Sequence, residues 1–231
     1  MNRINLEQAF VLHTRPFRDT SLLIHAFTLN HGHLMLLARG ARAQKSPLRP
    51  LLLPFTPLLI SWVQKTDLPI VSKVETNDLQ YFLNGEALVN GMYLNELLVR
   101  LLERHNAYPN LFNVYQETLS SLQNKDNQKI SLRLFEKKLL AELGYGLQLQ
   151  KEQNSLEILP TEHYSFEFGT GFKKFEANRG INPIFSGKSL IALHNENFSH
   201  PNEVNDAGNL LQIALKHLLG SQPIKTLDLL N

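Results

Sequence analysis

Along the first 80 residues the apolar positions fall in short clusters separated by turn chemistry, the pattern of strands rather than helices. A run from Leu6 to Thr14 centres on Phe10, Val11 and Leu12, and beyond Arg15-Pro16 a second run covers Leu22 to Thr28. Asn30-His31-Gly32 reads as a turn, so that second run and the next one, His33 to Ala38, should pair as a hairpin. Leu58 to Gln64, preceded by prolines, and Ile70 to Val74, after Asp67-Leu68-Pro69, complete five strands. Five short strands in sequence fit a small closed barrel, and the OB-fold has that strand count.

The period then lengthens. Leu88, Leu94, Leu98 and Leu101 recur at helical spacing between Asn84 and His105, and a second helix is predicted over Leu111 to Leu122, after Pro109. A third is predicted over Ser131 to Leu143, opening at a capping serine and closing at Gly144. Residues 156–180 return to alternation, with Tyr164-Ser165-Phe166-Glu167-Phe168 and Phe172 to Phe175 flanking Gly169-Thr170-Gly171, which predicts a hairpin. A short helix near Ser189 to Asn195 and a longer one from Asp206 to Leu219, stopped by Gly220, should close the chain. The class is therefore α+β: an N-terminal OB-fold β-barrel over residues 1–80, then a mainly α-helical domain over 81–231 with a small inserted β-hairpin.

Composition narrows the chemistry. With 43% hydrophobic and 19% charged residues the chain has ordinary globular usage. The absence of cysteine excludes disulfides, thiolate metal sites and cysteine nucleophiles. The start, Met1-Asn2-Arg3-Ile4-Asn5, lacks a signal-peptide core, and the greasiest stretch, Leu48 to Val63, is broken by Pro50, Pro54 and Pro57. A soluble, cytoplasmic protein with no membrane partner is expected. Net charge is only +2, but residues 1–80 hold nine Lys/Arg against five Asp/Glu and the remainder fourteen against sixteen. The positive field belongs to the barrel.

The sharpest local feature is Ala38 to Arg49, which carries Arg39, Arg42, Lys45 and Arg49, no acid, and small residues that let backbone approach a phosphate. A flexible basic loop on a barrel rim would contact phosphates without reading sequence, although the same run also reads as a solvated loop. Arg15 and Arg18 flank Phe17, which is open to base stacking or to the core. Ser186-Gly187-Lys188-Ser189 imitates the end of a phosphate-binding loop, yet Asn182 stands where the pattern needs glycine, so Ser186 or Ser189 is read as a helix cap. His194, Glu196 and His200 lack the spacing of metal ligands. No cofactor is expected, and no motif asks for an enzyme.

On the third helix Leu132, Phe135, Leu139 and Leu143 share one face, while Arg133, Lys137 and Leu140 follow one another on the face beside it. Two cations beside an apolar knob suit an acidic, hydrophobic peptide end; a solvated edge of a core helix has the same pattern.

Nearly the whole chain resembles the RecO family of recombination mediators. The resemblance is carried by Gln8-Ala9-Phe10-Val11-Leu12-His13-Thr14-Arg15-Pro16, Thr20-Ser21-Leu22, Ala38-Arg39-Gly40-Ala41-Arg42, Pro54-Phe55-Thr56-Pro57-Leu58-Leu59, Leu94-Asn95-Glu96-Leu97-Leu98, Arg133-Leu134-Phe135-Glu136 and Leu143-Gly144-Tyr145-Gly146. It implies binding of single- and double-stranded DNA, annealing of complementary strands, action with RecR, and help in loading RecA onto strands covered by single-strand-binding protein. It further implies that the acidic C-terminal tail of that protein docks on the helical domain, with Arg133 at the matching position and Lys137, Leu140 and Lys216 beside it. Many family members carry a four-cysteine zinc module after the third helix. This sequence has none of those ligands, so its 156–180 hairpin must be held by packing. The alternatives from other classes are a nucleic-acid-processing enzyme built on the barrel and a protein-interaction adaptor without DNA activity.

Overall fold

The computed structural model describes residues 2–76, 79–175 and 183–226. Strands β1 (Asn2–Phe17), β2 (Ser21–Thr28), β3 (Gly32–Ala38), β4 (Pro57–Gln64) and β5 (Ile70–Thr76) close into a barrel in the order β1-β2-β3-β5-β4. Only the β3–β5 contact, Leu37 opposite Ile70, is parallel. Strand β1 runs longer at both ends than its apolar core suggested, because its first half pairs with β4 and its second half with β2. Pairing with β4 stops at Phe10, so Pro16, opposite Leu22, sits where β1 has a neighbour on one side only. Irregular register between Ile4 and Glu7, with Leu6 at φ 51°, and again between Val11 and His13, bends the strand around the barrel.

Inside the barrel the small Ala9, Ala26 and Ala38 alternate with Val11, Ile24, Leu34 and Leu36 and leave room for Ile60 and Trp62. On its outside Phe10 and Phe27 meet Phe112 and Tyr115 of α2 (Pro109–Leu122), at ring-centroid distances of 5.0 to 6.1 Å. Helix α1 (Gly85–Leu101) is tied to β1 by Asn95, whose Nδ2 donates to the Leu12 carbonyl (2.9 Å) and whose Oδ1 accepts from the Tyr115 hydroxyl (2.5 Å). Full burial pushes the Tyr115 phenol far above its ordinary range. The Glu96 carboxylate, one residue on, accepts from the backbone N–H groups of Lys225 and Thr226 (both 3.0 Å) and from the Thr226 hydroxyl (2.8 Å).

The described residues up to Lys125, with those from Ile224 onward, form one compact unit, and Asp126 to Pro223 form a second. The expected change at residue 80/81 marks where strands give way to helices; compaction groups α1 and α2 with the barrel. In the second unit, α3 (Gln128–Glu142) and α4 (Gly187–Asn195) pack on α5 (Pro201–Leu219), beside a sheet of β6 (His163–Glu167), β7 (Gly171–Lys174) and β8 (Ile184–Ser186) in the order β7-β6-β8. The expected hairpin is β6–β7; its residues 176–180 lie outside the described residues. Strand β8 pairs with β6 and was not anticipated, being too short to show alternation. Helix α3 starts a turn earlier than Ser131, which lies inside it and donates to the Asn127 carbonyl (2.8 Å). Among the described residues no helix is long and apolar enough to cross a membrane.

Candidate nucleic-acid interface

One end of the barrel gathers most of the expected cations. The β1–β2 turn places Arg18 at φ 51°, and the Thr20 carbonyl after it accepts the Arg42 N–H (2.7 Å). The Arg42 guanidinium donates to the Arg18 carbonyl (3.2 Å), so two loops distant in sequence form one rim. The loop after β3 is pinned rather than free: Ala41 and Leu52 are buried in the barrel core, and Leu48 and Leu51 pack against it. Turn bonds from Ala43 to Gly40 and from Ser46 to Ala43 shape the segment between them. Arg39, Arg42, Lys45 and Arg49 are left pointing to solvent. Arg15 is exposed on β1, its guanidinium 4.0 Å from the Met35 sulfur, and Arg18 lies 5.3 Å over the ring of half-buried Phe17. Among the described residues none of these six cations is in an ion pair.

The residues expected to hold an acidic tail do not form one pocket. Arg133 Nη2 donates to Glu136 Oε1 (3.0 Å), whose side chain is 2% exposed, and its guanidinium covers Gly208, where an added Cβ would stand 2.2 Å from Nη1. Lys137 Nζ donates to the carbonyls of Leu193 (2.9 Å) and His194 (2.8 Å) and to Glu196 Oε1 (2.9 Å), which closes the C-terminus of α4. Leu140 is fully buried, so the expected apolar knob is core. Lys216 is exposed on α5, eight residues beyond Gly208 and so about 12 Å along the helix. The face beside the Leu132/Phe135/Leu139 stripe was read as open because the sequence does not show that α4 and α5 cover it.

The phosphate-loop mimic has a packing explanation. Ser186 Oγ accepts the Ser189 N–H (3.1 Å) as the cap of α4, and Ser189 donates to Asp206 (2.6 Å). Gly187 is required because a Cβ would meet the Leu159 carbonyl oxygen at 1.9 Å. Glu196 is taken by Lys137 and Lys138, and His200 caps α5 in a reciprocal box with Glu203. Two features escaped the sequence reading. One is a cavity of about 490 Å³ beside Tyr145, Phe166, Phe168 and Phe172, with His217 stacked on Phe168 at 4.1 Å. The other is a row of histidines on the barrel.

A five-stranded OB-type barrel with a basic rim, followed in the chain by a helical unit, defines an α+β protein of the OB-fold class. The comparisons with known proteins are more specific. The family model described as "Recombination protein O N terminal" matches residues 1–80, and the one described as "Recombination protein O C terminal" matches residues 83–228. The chain is 44% identical over 229 residues to the DNA repair protein RecO of Coxiella burnetii (strain CbuG_Q212), covering 99% of this chain and 98% of the relative. It is 39% identical to that of Nitrosospira multiformis (99% and 95% covered) and 37% identical to that of Dechloromonas aromatica (97% and 94%). The chain belongs to the RecO family of DNA repair proteins.

Proposed function

We propose that the chain is a non-enzymatic recombination mediator of the cytoplasm. It binds single- and double-stranded DNA at the basic rim of the barrel, anneals complementary strands, and with RecR helps load RecA onto strands coated by single-strand-binding protein. The observation that carries the reading is the joining of the Arg18 and Arg42 loops, which concentrates Arg18, Arg39, Arg42, Lys45 and Arg49 at one barrel end with no acid among the described residues paired to them. Such a surface neutralises phosphates and offers no recognition helix for base edges, so binding is electrostatic and blind to sequence. Of the residues proposed for tail docking, Lys216 and the partly exposed Arg133 keep that role, while Lys137 and Leu140 serve the fold.

The test is an anisotropy titration of labelled single strands against salt. Replacing Arg39, Arg42 and Lys45 with alanine should weaken binding to every sequence and flatten the log–log salt slope by roughly 0.7 per lost phosphate contact. An unchanged slope would move the site off the rim.

A further inference from the structure

The outer surface of the barrel carries cations beyond the rim. Register sets its residues in rows across β1, β2 and β3: Phe10, Phe27 and His33 in one, His13, His25 and Met35 in the next, Arg15, Leu23 and Leu37 in the third. The first row is covered at Phe10 and Phe27 by the α2 aromatics. The second emerges from that cover, with His13 exposed and His25 half-buried. His25 Nδ1 lies 3.0 Å from His33 Nε2 with the rings stacked, and the His13 ring is 5.9 Å from that of His25. The segment following α1 borders the same place: the backbone at Arg104 pairs with that at His33 as an isolated parallel bridge, and the His33 carbonyl accepts the His105 N–H (3.2 Å). Gly32 permits this approach, since a Cβ there would stand 1.8 Å from the Asn106 carbonyl oxygen. Arg104 and His105 are exposed.

Among the described residues the fixed charges that act on the two inner imidazoles are guanidiniums, Arg104 and Arg15 on His25 and Arg104 on His33. Burial, then His13, Arg104 and Arg15, hold His25 below the ordinary histidine value. Burial, then His25, Arg104 and His105, lower His33 to about 4 against an opposing backbone hydrogen bond at Leu102. No carboxylate among the described residues acts on either ring. Like charges gathered without a compensating acid raise the local potential and favour an anion at that place.

We propose that His13, His25, Arg15, Arg104 and His105 form a second anion-binding face that takes the phosphodiester backbone of a DNA strand continuing from the rim at Arg15. His25 takes up a proton as the strand arrives. This rests on the reading of the rim as a DNA surface and adds the strand's onward path and its regulation by pH. A phosphate beside His25 stabilises the imidazolium against the two guanidiniums, and by reciprocity a protonated His25 binds the strand more tightly. His25 starts below its ordinary value and rises on binding, so affinity increases as pH falls through the value it has in the complex.

The experiment is anisotropy of a labelled oligothymidine with the full chain, from about pH 8.5 to about pH 6, at constant ionic strength, spanning the imidazole range. Calorimetry in two buffers of different ionisation heat counts the protons taken up. The unmodified chain should bind roughly three- to tenfold more tightly at the lower pH, tenfold per unit being the ceiling for one linked proton. His25→Asn, which cannot titrate, should bind through the rim with most of that dependence gone. Arg104→Gln, at an exposed position outside the barrel core, should flatten the salt slope by roughly 0.7. Affinity independent of pH with no proton uptake, or a dependence that survives in His25→Asn, overturns the proposal and leaves the rim reading intact. Absence of DNA binding at every pH removes the rim reading and this inference with it. Should circular dichroism show His25→Asn unfolded, the proton count of the unmodified chain and the Arg104→Gln slope decide.

Discussion

Lys137 and His33 show how far a side chain's role departs from its position in the sequence. Lys137 has three donors, and all three are spent on the end of α4. Lys137→Met should lower stability by about 1.5 to 3 kcal/mol, the usual worth of hydrogen bonds to a charged group, with Lys138 still holding Glu196. Urea unfolding checks this, and a midpoint equal to that of the unmodified chain would show the contact to be idle. His33 acts through pH. Its folded value of about 4 lies below the unfolded value of 6.5, so between these the unfolded chain binds a proton that the folded one refuses. Stability should therefore fall as pH drops through that window, by roughly 3 kcal/mol if His33 alone contributes. Comparing urea midpoints near pH 7 and about pH 4, the folded value, in the unmodified chain and in His33→Gln, which should lose most of the difference, measures it. Neither role was legible beforehand, because both depend on residues far away in the chain: 56 positions separate Lys137 from Leu193, and the cations around His33 come from another strand and from the end of α1. What was legible was local, such as the serine cap of α4.

Elements followed the hydrophobic pattern wherever that pattern was long enough to have a period. Strands β2 to β5 and helices α1 and α2 lie where alternation and helical spacing put them, within a few residues at the ends. The misplacements have specific causes. Arg15-Pro16 looked like a strand end, but a proline on the unpaired side of a strand costs no ladder bond. Ser131 looked like a cap, but Asn127 precedes the first turn and Ser131 bonds back to it. These assignments separate two serines that look alike in the sequence. Ser186→Ala should lose about 1 kcal/mol through the cap of α4, whereas Ser131→Ala, inside a helix, should change stability by less than about 0.5 kcal/mol. Parallel denaturant melts decide, and equal losses would place a cap at Ser131 after all.

At the scale of the whole molecule the sequence showed a change of texture near residue 80. It did not show that the barrel buries its outer aromatics under α2, since Phe10 and Phe27 are indistinguishable from inward-facing residues until the register is known. Nor did it show that the chain leaves the first unit at Lys125 and re-enters it at Ile224. That return fixes an order of events on the ribosome. Glu96 emerges early, with Arg100 four residues on as its local partner, while Lys225, whose N–H it also accepts, lies 129 positions further along the chain. The lowered acidity range of Glu96, where burial pushes up and the bonds from Thr226 and Lys225 outweigh it, is reached only when those residues arrive. The barrel unit is thus completed by chain made after the entire second unit, and a nascent protein paused between the two carries a barrel unit whose helix α1 still lacks its final tie.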